Sequence, residues 1–191
     1  LTDDGRDYLS RMRDAARRMR TLVTDLLAYS RVTTQGQPYV RLDLTRIAKE
    51  VVSDLQVRID QVGGRVEVTD LPSIEADPTQ MRQLLQNLVG NGLKFHRASV
   101  KLGVKVGGEV LDGSRHGEVE RYGSDGVCRI TVEDNGIGFD DKYLDRIFTI
   151  FQRLHGRSRY DGTGVGLAIC RKIAERHGGS ISAKGAPGRG S

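Results

Sequence analysis

Long apolar runs are missing from these 191 residues. No stretch approaches the ~20 apolar residues that cross a bilayer, and no arginine-flanked apolar segment opens the chain, so neither a span nor a signal peptide is expected. Cysteine is scarce. Cys128 and Cys170 sit in apolar surroundings, without CxxC spacing or neighbouring histidines. That setting excludes a disulfide scaffold or thiolate metal site and predicts two reduced, buried thiols in a cytoplasmic protein. Aromatics make up 5% and do not interleave with basic residues, and no helix-turn-helix or zinc-finger pattern occurs. Nucleic acid is therefore not the expected partner, although a net charge of +5 and a pI near 9.4 would permit it. There is no internal repeat, and an opening Leu1 reads as a piece of something longer.

What is present, 37% hydrophobic residues, suffices for one full domain and a small appendage. Leu9, Met12, Ala16, Met19, Val23 and Leu26 recur at alternating steps of three and four, the seam of a helix in a bundle or coiled coil. Ala15, Leu22 and Tyr29 widen that stripe. Residues 3–32 thus predict one long amphipathic helix that needs a helical partner, most simply a second copy. Its arginines read as a solvated face. Residues 33–38 carry Gly and Pro without an apolar period and predict a linker, with a second domain over 39–191.

In that domain a short strand is expected at 40–44 and a helix at 44–62, capped by Asp43 and stopped by Gly63 and Gly64. Strands are expected at 65–69 and 74–76. Asp77 and Pro78 open a helix running to Phe95, as N-cap and first helical residue. Strands at 100–106 and 129–133 flank a polar, glycine-rich excursion, 107–126, which reads as a surface hairpin or loop. A short helix at 142–148, a polar basic stretch at 151–161, an apolar helix at 165–177 and a closing strand at 180–184 complete the reading. Short hairpin-linked strands with interspersed helices indicate layers, not a regular doubly wound sheet.

Three clusters carry chemistry. Asn87, Asn91 and Lys94 stand at i, i+4 and i+7, one stripe of a helix whose opposite side holds Leu84, Leu85 and Leu88. Carboxamide oxygens suit Mg²⁺ on phosphates, and an ammonium suits phosphate oxygens. A plain solvated face would account for Lys94 but poorly for two in-register asparagines. Asp134 ends a strand before Asn135-Gly136-Ile137-Gly138, a turn whose glycines let backbone approach a ligand while the carboxylate accepts an adenine amine. An ordinary Asn-Gly hairpin turn is the competing reading. Gly162, Thr163, Gly164, Val165 and Gly166 precede a helix beginning near Leu167, where free amides can hold phosphates. A glycine-rich linker is the alternative. No Gly-Lys-Ser/Thr follows, so this is not a Walker loop.

Taken in order, these residues resemble the catalytic core of sensor histidine kinases, in the superfamily that includes gyrase-type ATPases. Residues 83–97 resemble the family's N box, 134–139 its first glycine box, 147–154 its F box and 162–169 its second glycine box. The stretches at 91–97 and 151–155 are most similar to phytochrome-like and PAS-linked kinases. The resemblance implies an α+β fold: a two-layer α/β sandwich of the histidine kinase/gyrase type, a mixed sheet covered by helices, preceded by the long bundle helix. It implies ATP and Mg²⁺ as cofactors. Asn91 would bind Mg²⁺ assisted by Asn87, Lys94 would contact phosphate, and Asp134 would bind the adenine amine between Gly136 and Gly138. Residues 139–161 would form a lid anchored by Phe148 and Phe151, with Arg153 the first candidate for the γ-phosphate and Arg157 and Arg159 lesser ones. A glutamate stands at the Asn87 position in gyrase-like members, so its absence favours transfer over hydrolysis.

Two departures qualify that resemblance. None of His96, His116, His155 and His177 has the acceptor's setting; the resemblance implies that residues 3–32 match the second helix of the dimerisation hairpin, with the acceptor expected outside this chain. The fragment is then expected to bind nucleotide without phosphorylating itself. Residues 185–191 resemble the start of a final glycine box whose strand is missing. A homodimer through the first helix and a response-regulator receiver domain are the implied partners, with an inactive dimerising scaffold as the alternative function.

Overall fold

The computed structural model describes residues 2–97, 100–111, 126–144, 146–152, 154 and 162–191. Helix α1, Asp3–Thr34, is capped by the Thr2 hydroxyl accepting the Gly5 amide and carries Asp3 and Asp4 against its positive end. It runs two residues beyond the expected 3–32. Of its side chains only Val32 is buried, whereas Leu9, Met12, Met19, Val23 and Leu26 remain exposed. Within one chain the seam is uncovered, as its width predicted.

β1 (Val40–Asp43) leads into α2 (Leu44–Asp54), which Asp43 caps through the Arg46 amide. The helix expected over 44–62 is two helices. Leu55 adopts φ −91° and ψ 2°, and its amide is shared among the carbonyls of Val51, Val52 and Ser53 before α3 (Gln56–Val62) begins. No Gly or Pro marks this break; the tightened last turn makes it. Gly63, at φ 60°, stops α3 as expected.

β2 (Arg65–Val68), β3 (Ser73–Ala76) and α4 (Pro78–Lys94) follow. Asp77 caps α4, its Oδ1 accepting the amides of Thr79 at 3.0 Å and Gln80 at 3.1 Å. β4 (Gly103–Leu111) and β5 (Val127–Asp134) pair antiparallel from Val104 opposite Asp134 to Leu111 opposite Val127. Residues 107–111 were expected in the excursion on the strength of its polar, glycine-rich composition. Gly107 and Gly108 are instead strand glycines: a Cβ at Gly107 would lie 2.6 Å from Thr69 Oγ1, and one at Gly108 2.9 Å from the Arg129 carbonyl. Close approach, not a turn, requires them. The remainder of the excursion, 112–125, lies outside the described residues.

A single 3₁₀ turn, Asp141–Tyr143, stands where a helix at 142–148 was expected. α5 (Gly166–Arg176) ends at His177, and Gly178 at φ 72° turns the chain away. The expected strand at 180–184 does not form: only Ile181 packs on the core. The pairing falls later, where Ser191 and Asp134 exchange backbone hydrogen bonds of 2.7 and 3.2 Å.

β1 pairs with β3 antiparallel, while β4 lies between parallel β2 and antiparallel β5. This is the expected mixed sheet. Val104 and Val106 bury its inner face; α4 lies against β4 and β5 and α2 against β2 and β3, while α5 packs on α4, and Leu85, Val89, Leu93, Ile169 and Ile173 close the core. α1 packs along α5 near its own C-terminal end, with Lys172 Nζ 4.2 Å from the Tyr29 ring and Arg176 Nη1 donating to the Val32 carbonyl at 2.9 Å.

Candidate functional site

Asn87, Asn91 and Lys94 of α4 all border one cleft of about 2400 Å³; of the leucines expected on the core side only Leu85 keeps wholly to the core, while Leu84 and half-buried Leu88 also reach the cleft. Asp134 lines the same cleft, as do Gly138, Gly162, Thr163, Gly164, Gly166 and Leu167. The volume exceeds the ~300–1,000 Å³ of a ligand pocket because the space runs on past these residues, along α1 and out to Arg58, Glu75 and Lys184. Gly136 and Val165 do not line it. Val165 is fully buried in the core, and Gly136 serves through its amide, which donates to Asp134 Oδ1 at 2.8 Å.

Gly92 explains how Asn91 and Asp134 come together. A Cβ there would meet Val104 Cγ2 at 3.1 Å and Asp134 Cβ at 3.5 Å, so α4 lies directly against the sheet at that turn. Asn87 sits deeper. Its Nδ2 is buried without a hydrogen-bond partner among the described residues, and a Cβ at Gly166 would lie 3.3 Å from its Oδ1. Beside it, burial pushes the Cys170 thiol up to about 12, opposed weakly by a contact from Asn87. Lys94 extends toward the glycine loop, since a Cβ at Gly162 would come 2.5 Å from its Nζ.

α5 begins without a side-chain cap, Val165 being its N-cap, so its first amides face the cleft's glycine loop unclaimed by a side chain. The loop is held from outside. Phe151 donates its amide to the Gly164 carbonyl at 3.0 Å while adopting φ 65°, a left-handed conformation unusual for a bulky residue. Phe151 is 54% exposed and Phe148 only half-buried, so neither of the expected anchors is buried; Ile147 is, and Ile150 packs on the core. Arg153, His155, Arg157 and Arg159 lie outside the described residues.

The cysteine expectation is half met. Cys170 is buried and Cys128 only half-buried, its thiol raised by partial burial; both are free. Cys128 stands opposite Val110, where the β4–β5 pair leaves the core.

Three contacts at the cleft had no signal in the chain's local pattern. Ser191 Oγ donates to Asp134 Oδ2 at 2.8 Å. Thr163 Oγ1 donates to Asp25 Oδ2, bringing α1 to the glycine loop. Arg97 Nη2 donates to the Asn135 carbonyl at 3.0 Å. Each joins residues far apart in the chain, and no spacing rule reaches that far.

A mixed sheet under two helices, with a polar helix row, a strand-end carboxylate and a glycine loop at a helix start, defines a nucleotide-binding α/β sandwich. The chain belongs to the histidine kinase-, DNA gyrase B- and HSP90-like ATPase family, whose sequence profile matches residues 76–191. The phytochrome-like protein Cph1 of Synechocystis is 36% identical over 193 residues, covering 100% of this chain and 24% of that protein. Cyanobacterial phytochrome A of Nostoc is 36% identical over 190 residues, covering 100% of this chain and 23% of that protein. The chain thus spans about a quarter of the length of these relatives. The crystal structure of full-length ShkA in complex with AMPPNP matches with a TM-score of 0.72 at 27% identity, over 100% of this chain and 38% of that one. The resemblance to phytochrome-like kinase cores that residues 91–97 suggested is met, and so is the expected fold class.

Proposed function

We propose that this chain is the ATP-binding catalytic portion of a two-component sensor histidine kinase, directing a γ-phosphoryl group to a histidine outside these 191 residues for relay to a receiver-domain aspartate. One observation carries it. The carboxamide row, the Asp134 carboxylate and the glycine loop at the uncapped start of α5 share a single cleft.

The residues present fit ATP with Mg²⁺. Asn91 and Asn87 offer hard oxygen donors to the metal, the Asn87 Oδ1 facing Gly166 of the glycine loop. Lys94, reaching to Gly162, would neutralise phosphate charge, and the amides of Gly162, Thr163, Gly164, Gly166 and Leu167 would donate to the phosphates as a positive helix end does. Asp134, held by Gly136 and Ser191, would take the adenine amine, with Gly138 bounding the ring. Arg153 is the proposed γ-phosphate contact. When bound, the nucleotide supplies the phosphoryl group and its metal spreads the developing charge; positioning does the rest. Asn87 is neutral and cannot activate water as a carboxylate would, which supports transfer over hydrolysis.

Two things support an acceptor outside these residues: none of the four histidines has the acceptor's sequence setting, and His96 and His177 are engaged in local contacts. His96 Nδ1 lies 3.0 Å from the Leu93 carbonyl, and His177 stacks on Tyr39 at 4.7 Å. The uncovered α1 seam supports a homodimer. No helix among the described residues is long and apolar enough to cross a membrane.

The test is titration of a fluorescent ATP analogue with Mg²⁺ into the wild type, Asn91→Ala and Asp134→Asn. Saturable binding weakened about tenfold or more in each variant is expected, the scale of one lost charge-assisted contact. Absence of binding to the wild type at millimolar nucleotide would overturn the reading.

A further inference from the structure

Asp134 owes its position to the residue after it. Asn135 uses both ends of its carboxamide: Oδ1 accepts the Gly103 amide at 2.9 Å and Nδ2 donates to the Lys101 carbonyl at 3.0 Å. Its own amide reaches the Gly103 carbonyl at 3.3 Å. These bonds pin the turn to the start of β4. Two more pin it to the chain that leaves α4: the Ile137 amide donates to the Phe95 carbonyl at 2.9 Å, and Arg97 Nη2 donates to the Asn135 carbonyl at 3.0 Å.

Arg97 is an unusual choice for that task. Its Nε is buried and finds no hydrogen-bond partner among the described residues. Enclosing part of a guanidinium without full hydrogen bonding is unfavourable for stability. A side chain retained on such terms is explained by the geometry it imposes on the carbonyl it holds. Arg97 does not line the cleft, so it has no direct reach to a ligand there. What it grips is the peptide next to Asp134, and the strand of chain that bears it is the continuation of the Asn91–Lys94 row. It therefore links the two halves of the cleft.

We propose that Arg97 is a positioning residue that sets the pose of the Asp134 carboxylate through the Asn135 carbonyl, and so fixes the preference of the cleft for a 6-amino over a 6-oxo purine. This rests on the adenine-nucleotide reading above. A carboxylate accepts from an exocyclic amine and repels a carbonyl oxygen presented at the same place, so its exact placement separates ATP from GTP. Discrimination by one charge-assisted hydrogen bond amounts to roughly 10–100-fold.

The experiment measures ATP and GTP affinities, each with Mg²⁺, by displacement of a fluorescent nucleotide from the wild type, Arg97→Met and Arg97→Lys. In Arg97→Met the ATP affinity should fall about tenfold while GTP binding stays within about twofold, collapsing the preference. Arg97→Lys, which retains a donor, should recover most of it. Equal weakening of both nucleotides, or an unchanged preference, would mean Arg97 only supports the fold and overturns the proposal. Should Arg97→Met fail to fold by circular dichroism, Arg97→Gln, which keeps a polar side chain but removes the guanidinium that grips the Asn135 carbonyl, gives the same readout: loss of preference supports the proposal, and retention overturns it. A wild type that binds neither nucleotide removes the adenine reading and this proposal together. A wild type that prefers ATP, with variants that do so equally, removes this proposal alone.

Discussion

Replacing Asp77 with alanine should destabilise the protein by about 3 kcal/mol, for reasons that can be added from its contacts. Asp77 is 1% exposed. Its Oδ1 caps α4 through Thr79 and Gln80, a contribution of about 1–2 kcal/mol. Its Oδ2 accepts the Gln37 amide at 2.6 Å and stands 3.6 Å from Arg176 Nη1. Hydrogen bonds to a charged group contribute roughly 1.5–3 kcal/mol each, discounted here because Gln37 is exposed and Arg176 also donates to the Val32 carbonyl. About 1–2 kcal/mol remains for this half. Asp77→Asn retains an acceptor for the cap and should lose only about 1 kcal/mol. Urea unfolding followed by circular dichroism would read the two midpoints, with the slope unchanged if the native fold is kept. In thermal melts the alanine variant should fall by roughly 6–12 °C. Equal losses for Asn and Ala, or a loss for Ala below about 1 kcal/mol, would refute a cap contribution of about 1–2 kcal/mol.

Other outcomes follow from the same geometry. Gly164 has φ +79°, and a Cβ there would lie 2.7 Å from the Gln152 carbonyl, so Gly164→Ala should weaken nucleotide binding about tenfold or more and lower the melting temperature by roughly 2–8 °C. Titration with an ATP analogue checks this, and unchanged affinity would contradict a role for the loop. Cys170, pushed to about 12 by burial, stays protonated and should not react with a thiol reagent at pH 8 until the protein unfolds, whereas half-buried Cys128 reacts slowly. A raised thiol value contributes stability that is full below the unfolded value near 9.0 and lost as pH climbs toward about 12, so stability should decline across that window. Met19→Glu with Leu26→Glu places charge on the exposed α1 seam and should shift sedimentation from dimer to monomer without changing helical content. A wild type that is already monomeric at high concentration would argue against the seam as an interface.

Much of the chain could be read locally. Asp43 and Asp77 announced their helices because a cap is a contact over two or three residues, and the stripe of Asn87, Asn91 and Lys94 follows from helical period alone. The break at Leu55 was not legible, since its cause is a shared amide in the last turn and no residue of the usual breaking kind is present. β4 passed through Gly107 and Gly108 because Thr69 and the Arg129 carbonyl press close, a fact held by other segments of the chain. The strand expected at 180–184 failed for the converse reason: alternation was there, but the backbone that pairs with Asp134 is Ser191.

By itself the order of residues determined which groups this protein brings to its chemistry, their spacing along helix and turn, and the family to which they belong. These are short-range properties, set by backbone period and by contacts within a few residues. Tertiary structure alone decided that Gly92 lets Asn91 stand beside Asp134, that Asp25 of α1 meets Thr163, and that Arg97 holds the Asn135 carbonyl. Such meetings depend on how whole elements pack, and packing is settled by the burial of the entire core rather than by any one segment.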